Sequence, residues 1–351
     1  MEGRKGTLFT VFSTAYAVGK TLLAINIAAE LARQGLKVCL ADLDLQFGDV
    51  CYYLKLNPER TIADAQKSME QHPKDTVAVE YLTRYQEGNT GFDVLANPKL
   101  LEEAYNMDNN IIKSLVLQLQ LEYDYVILDT TSTFSALNLL LMDMSTLINF
   151  VGIVDFIPTI KNMKRGSDTL KELGYDDSKI RYVLNRSNAK TRIDVEDVES
   201  ILGKHFDFVL PNDFQTAQDS IRTGVPCILS SRHTPLAQGM ASMVDGYVHS
   251  ETDSRDSGDG HSGGSWLSRI FSYRKCDFRL CPAGAGAQSL CGAPGGTGPA
   301  GIGHLRRNPG PGAHRTLPEG RQHHRSDGER AQEDLCGTDG ETPPYGSPVP
   351  R

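Results

Sequence analysis

An excess of positive charge is missing from this chain. Its 36 Lys and Arg stand against 44 Asp and Glu, a formal net charge of −8 over 351 residues. That balance argues against a broad nucleic-acid footprint while leaving room for a local basic patch, and no specific nucleic-acid partner is expected. Cysteine is scarce and badly spaced for ligation. Cys39, Cys51 and Cys227 lie in apolar or loop contexts with no Cys-x-x-Cys pair, and read as buried free thiols of a reducing compartment. Cys276, Cys281 and Cys291 have neither the spacing nor the surroundings of a zinc site. An uninterrupted apolar span is absent too. The most apolar stretch, 136–157, is broken by Asn138, Asp143, Asn149 and Asp155, which suits a buried helix followed by a buried strand. The short N-terminal apolar run leads into polar residues rather than a cleavage site, so no signal peptide is read and a cytoplasmic location is expected.

What is present begins at the N-terminus. An apolar run, Thr7 to Phe12, stops at Ser13-Thr14, and Gly19-Lys20-Thr21 opens a helical pattern carried by Leu22, Leu23, Ile25, Ile27, Ala28 and Leu31. Strand, loop, Gly-Lys-Thr and helix is the order that a phosphate-binding loop requires. The helix N-terminus offers N–H groups to an anion, the Lys ammonium reaches the outer phosphates, and the Thr hydroxyl can ligate Mg²⁺. The standard Gly-x-x-x-x-Gly-Lys-[Ser/Thr] pattern is not met, because Thr14 occupies the first glycine position.

Over residues 7–249 apolar strand signals alternate with amphipathic helices. Strands are predicted at 37–41, 92–95, 125–128, 147–154, 180–184 and 206–210, and helices at 110–121, 159–173, 194–202 and 216–222. That alternation predicts an α/β fold with a mainly parallel sheet and helices on both faces. Ligands of such sheets sit beyond the carboxyl ends of the strands, which directs attention to Asp42, Asp129 and Asn185.

Composition changes near residue 250, so the nucleotide-binding domain is placed at 1–249. Residues 250–264 read as a flexible Ser/Asp/Gly-rich linker. Residues 265–275 place Trp266, Leu267, Ile270 and Phe271 on one helical face beside Arg269, Arg274 and Lys275. From Cys276 onward fifteen glycines and ten prolines fall in 76 residues without periodicity, the composition of a disordered tail. Such a tail also suits a frame-shifted or read-through product.

Three further segments extend the phosphate-loop reading. Leu40-Ala41-Asp42-Leu43-Asp44 puts two carboxylates at a strand end, where Mg²⁺ and an attacking water need them; a solvated turn has the same composition. Tyr125-Val126-Ile127-Leu128-Asp129 has the apolar-strand-then-Asp form of a Walker B element, whose Asp holds Mg²⁺ through water. Tyr182-Val183-Leu184-Asn185 ends a strand on an amide able to read an adenine edge, although an Asn often opens a loop without any ligand.

Taken in order, these segments resemble the ParA/MinD family of deviant Walker A ATPases, a P-loop NTPase family. Within it they look closest to the TadZ/CpaE proteins of tad (Flp) pilus assembly. The run from Asp42 to Asp49, Thr61-Ile62-Ala63-Asp64, Val94 to Pro98, Val209-Leu210-Pro211-Asn212-Asp213 and Ile221 to Pro226 are similar to that subgroup, and the resemblance covers roughly residues 5–249. It implies a cytoplasmic ATP-binding protein with Mg²⁺ as cofactor, one that pairs as a homodimer and positions pilus or secretion assembly proteins at a membrane or cell pole. By that resemblance Val18, Gly19, Lys20, Thr21 and Leu22 bind the phosphates, while Thr21, Asp42 and Asp129 serve the metal. Asp44 would position the water, and Asn185 with Pro211 and Asn212 would line the adenine. The segment from Trp266 to Phe271 resembles the short membrane-targeting helix of MinD-type proteins; an incidental apolar patch has the same pattern. A receiver-like domain, which subgroup members often carry first, is not expected, since the first strand begins almost at Met1.

The departures from the family pattern Lys-Gly-Gly-x-Gly-Lys-[Thr/Ser] bear on activity. Ala15 takes the signature Lys position, and Tyr16 and Ala17 take the two glycines. Loss of that cation and of close backbone approach predicts slow or absent hydrolysis. Two other readings stand beside the TadZ/CpaE-type ATP-binding factor: a nucleotide-independent pseudo-ATPase scaffold, and a MinD-like ATPase cycling on membranes, which the missing Lys disfavours. A metal-cluster reductase of related fold is disfavoured because no cysteine follows the strand that ends at Asp129.

Overall fold

A computed structural model describes residues 5–154, 157–187 and 194–256. The expected segment 265–275 and the tail 276–351 lie outside the described residues. Eight strands form one sheet: β1 Thr7–Phe12, β2 Val38–Asp42, β3 Leu82–Glu87, β4 Thr90–Leu95, β5 Tyr125–Asp129, β6 Leu147–Gly152, β7 Ile180–Leu184 and β8 Phe208–Val209. The helices are α1 Lys20–Arg33, α2 Val50–Tyr53, α3 Ile62–Gln71, α4 Leu101–Tyr105, α5 Asn109–Glu122, α6 Ala136–Met144, α7 Ile157–Glu172, α8 Val195–Leu202, α9 Phe214–Thr223, α10 Cys227–Ser230 and α11 Pro235–Asp256. The last of these carries helical backbone into the expected linker, as far as residue 256.

Strand order is β3-β4-β2-β5-β1-β6-β7-β8, and only β3 runs antiparallel to its neighbour. The mainly parallel α/β expectation therefore holds. Its cause is visible in the alternation of side chains across each strand. Phe9, Val11, Val38, Leu40, Tyr125 and Ile127 join one buried cluster with α1 and α11. Leu8, Cys39, Ala41, Val126 and Leu128 join another with α3 and α5. Phe12, Ile148, Phe150, Tyr182 and Leu184 build a third core under α7 and α8. With both faces covered, the central strands are apolar at nearly every position, which is why they were legible as short continuous runs.

Two differences from the sequence-based expectation have local causes. The hairpin of β3 and β4 went unread because β3 is an edge strand with only Tyr85 of its six residues buried. The final strand shortens from 206–210 to Phe208–Val209. Phe206 turns into the α7–α8 core, and the Asp207 carboxylate accepts the Tyr182 N–H at 2.8 Å, taking the place of a ladder carbonyl. Cys39 and Cys227 are buried free thiols as expected, whereas Cys51 is only half-buried. Thr61 and Asp64 form a reciprocal cap: the Thr61 hydroxyl accepts the Ala63 N–H at 3.3 Å, and the Asp64 carboxylate accepts the Thr61 N–H at 2.8 Å. That pair starts α3 and so has a structural reason of its own.

Candidate nucleotide site

The loop between β1 and α1 crosses the carboxyl end of the sheet, as the strand-end rule anticipates. Gly19 caps α1 in the left-handed region (φ 92°), and no side chain caps the helix. The first amides of this 14-residue helix thus keep their donor capacity for an anion. A Cβ on Gly19 would come within 2.6 Å of the Asn185 amide nitrogen, so both φ and space require glycine. Ala17 is also left-handed, at φ 57°, in a position where the family pattern has glycine. The loop therefore keeps a glycine-like bend at a cost in strain of about 1 kcal/mol. Thr14, standing where the common pattern has its first glycine, fits because α7 presents Gly166 to its methyl group.

Two residues far along the chain hold this loop. The Asn185 side-chain amide donates to the Val18 carbonyl at 2.8 Å, and its oxygen accepts the Arg186 N–H at 3.0 Å. The Lys20 ammonium donates to the Ser132 hydroxyl at 2.7 Å, and that hydroxyl donates to the Ala15 carbonyl at 2.8 Å. Ser132 was not singled out by residue type, although its position just after the Asp129 strand was the available signal. Burial lowers the Lys20 pKa, and Asp129 and Asp44 oppose that shift by holding the ammonium charged.

The carboxylates differ in what they do. Asp42 is fully buried and accepts the N–H groups of Asp44 at 3.3 Å and Val50 at 3.1 Å. Gly48 lies so close to it that a Cβ there would strike both carboxylate oxygens. Asp42 thus ties down the 43–50 loop. Burial, and then the neighbouring Asp129, push its pKa well above the usual carboxylate range. Asp129 is equally buried, yet neither of its oxygens has a hydrogen-bond partner. Burial raises it to about 7; the nearby Thr21 hydroxyl and Lys20 ammonium pull the other way, although the hydroxyl does not reach hydrogen-bonding geometry. Asp44 is half-buried beside them, accepting the Phe47 N–H at 3.3 Å.

An orphaned buried carboxylate next to a threonine hydroxyl is a hard-oxygen donor pair of the kind that suits Mg²⁺. Among the described residues no group of three or more His, Cys, Asp or Glu side chains makes a metal cage by itself. The fit is to an ion that keeps waters and takes phosphate oxygens, which is how Mg²⁺ is usually held.

Beside the loop opens a cleft of about 480 Å³. Gly19, Leu22, Asn185, Pro211 and Asn212 all line it, so the structure brings together the expected residues from α1, β7 and the segment after β8. Asp213 caps α9 by accepting the Thr216 N–H at 3.0 Å, which fixes the start of that helix at the cleft edge. Tyr52, Lys55, Arg186 and Phe214 line the cleft as well and were missed. A second groove, about 460 Å³, lies on the solvent side of α7 among Lys161, Lys164, Arg165 and Asp168. It shares no residue with the loop cleft and carries the ordinary Lys164–Asp168 pair of a helix surface.

Comparison with known proteins bears on the fold. A family model described as an AAA domain matches residues 10–165. The tyrosine-protein kinase ptk of Acinetobacter johnsonii is 26% identical over 154 residues, 43% of this chain, and that match spans only 20% of the kinase's length. A ParA family ATPase from Chlorobium tepidum superposes with a TM-score of 0.62 at 18% identity, covering 69% of this chain and 98% of that one. The septum site-determining protein MinD of Pyrococcus horikoshii, complexed with Mg-ADP, gives 0.60 at 18% identity over 70% and 97%. An ATP complex of a substituted McdA from Cyanothece gives 0.54 at 14% identity over 70% and 98%. With its uncapped Gly-Lys-Thr helix start at the carboxyl end of a mostly parallel sheet, the chain has the fold of the ParA/MinD-like P-loop NTPases.

Proposed function

We propose that this protein is an ATP- and Mg²⁺-binding localisation and assembly factor of the TadZ/CpaE type, acting in tad (Flp) pilus biogenesis with weak or no ATP hydrolysis. One observation carries the reading. Lys20, Thr21 and an unpartnered, buried Asp129 converge beneath an uncapped helix start, while Ala15, Tyr16 and Ala17 replace the residues that rapid hydrolysis needs. In this reading Lys20 and the α1 amides take the phosphates, and Thr21, Asp42 and Asp129 serve the metal, Asp42 also keeping the adjoining loop in place. Asp44 orients water, and Asn185, Pro211 and Asn212 line the base. Bound Mg²⁺ supplies charge neutralisation between the outer phosphates. Without a cation at position 15, charge developing in the transition state goes without one of its stabilising partners. Two copies pair as a homodimer, and nucleotide-dependent pairing positions the pilus or secretion machinery.

A second reading, a nucleotide-independent scaffold, draws on the way Ser132 and Asn185 hold the Ala15 and Val18 carbonyls of the loop without a ligand. Equilibrium binding of ATP and ADP with and without Mg²⁺ separates the two. The first requires Mg²⁺-dependent binding with turnover well below about 1 s⁻¹; the second requires no binding. Turnover at ordinary ATPase rates would refute both.

A further inference from the structure

Large aromatic side chains in water leave apolar area uncovered, and two of them border the loop cleft. Tyr52 on α2 is 65% exposed and Phe214, the first residue of α9, is 69% exposed. Both line the cavity that also contains Gly19, Leu22 and Pro211. Tyr52 is held by a chain of specific packing. Lys55 places its ammonium 4.5 Å from the centre of the Tyr52 ring, covering one face of it. Lys55 has a left-handed backbone, at φ 55°, unusual for a residue with a long side chain. Gly224, itself at φ 82°, makes room for it, since a Cβ there would lie 2.6 Å from the Lys55 Cγ. Arg186, at φ 54°, borders the same cleft, and with Ala17 these are all the non-glycine residues of positive φ among those described. Two of these three, Lys55 and Arg186, line the cleft, and strained backbone there marks a site whose shape is maintained against local preference.

We propose that Tyr52 and Phe214 are the stacking surfaces for the purine ring of the bound nucleotide, with Lys55 and Gly224 setting the Tyr52 ring. The assignment rests on the nucleotide-binding reading above and adds the groups that grip the base. Every base presents a π-face, so two aromatic rings supply affinity, while edge contacts from the Asn185 region supply choice among bases. The platform belongs to the base and ribose end of the ligand, because the phosphate end is occupied by Lys20, Thr21 and Asp129.

The test compares two ligands that differ only in having a nucleoside. Calorimetric titrations of the full chain with Mg-ATP and with Mg-tripolyphosphate are made for the parent, Tyr52→Leu, Phe214→Leu and Lys20→Ala, with thermal melting as a check of folding. Each aromatic variant is expected to weaken Mg-ATP about ten-fold and to leave Mg-tripolyphosphate unchanged, with Tyr52→Phe and Phe214→Tyr restoring parental affinity. Lys20→Ala is expected to lose both ligands. Parental ATP affinity in both Leu variants, with loss in Lys20→Ala, overturns the stacking assignment and leaves the nucleotide site standing. Equal weakening of both ligands overturns it as well, since the rings would then act only through the loop. A parent that binds neither ligand removes the nucleotide site and the platform together.

Discussion

Asp42 and Asp129 stand side by side as register partners at the ends of β2 and β5, and both are closed off from water. Only one of them is satisfied. Asp42 takes two loop amides, and Asp129 takes none. Two neighbouring buried carboxylates oppose each other's ionisation, and burial opposes both.

This pair sets a pH dependence for the ligand-free protein. Asp129 titrates at about 7 when folded and near ~4 when unfolded. Between those values the native state binds more protons than the unfolded chain, so stability falls as pH rises through the window. In the presence of a chelator, Asp129→Asn should stabilise the protein by about 1–3 kcal/mol at pH ~8 and have little effect at pH ~4. Denaturant melts at the two pH values measure this. An equal effect of the substitution at both would show that folding does not raise the Asp129 pKa.

In the proposed reading Lys20 is the cation that meets the outer phosphates, and its contact with Ser132 places the ammonium over the loop. Lys20→Ala should lower ATP affinity by about 100-fold or more, because charge-assisted bonds to phosphate are lost. Ser132→Ala should retain binding. Unchanged affinity in Lys20→Ala would move the nucleotide site elsewhere.

Ala17 holds a conformation that glycine adopts without strain. Ala17→Gly should raise stability by about 0.5–1 kcal/mol, the relief of strain exceeding the added unfolded-state freedom. Combined with Ala15→Lys and Tyr16→Gly, it should also increase ATP turnover at least about ten-fold in a coupled phosphate-release assay, on the order expected for a restored charge contact. If turnover stays at the parental level, the loop is not what limits hydrolysis.

The segment from Trp266 to Phe271, with its basic neighbours, carries a separate expectation from sequence. The protein should float with anionic liposomes, more weakly at high salt, and pairing should strengthen attachment by coupling two weak anchors. Trp266→Glu with Phe271→Glu should leave it at the bottom of the gradient. A parent that never floats, with or without ATP, is not anchored there.

The central strands were legible because a sheet covered on both faces makes each of them a short apolar run, and the Gly19-Lys20-Thr21 turn was legible because its chemistry is contiguous. Asp42, Asp129 and Asn185 followed from the rule that ligands gather at strand ends. The β3 edge was not legible, since an edge strand buries one side chain and otherwise reads as a polar loop.

Local pattern could name the loop and the strand ends, because hydrogen-bonding needs and side-chain alternation act over a few residues. It could not show that Gly166 makes room for Thr14, that Ser132 meets Lys20, or that Asp42 ties down the 43–50 loop while Asp129 keeps its oxygens unpartnered. Nor could it bring Tyr52 and Phe214 to one cleft. Most of these partners lie far apart along the chain. Ser132 meets Lys20, and Gly166 meets Thr14, because β5, β1 and β6 are adjacent in the sheet and the connections after them leave from its carboxyl end.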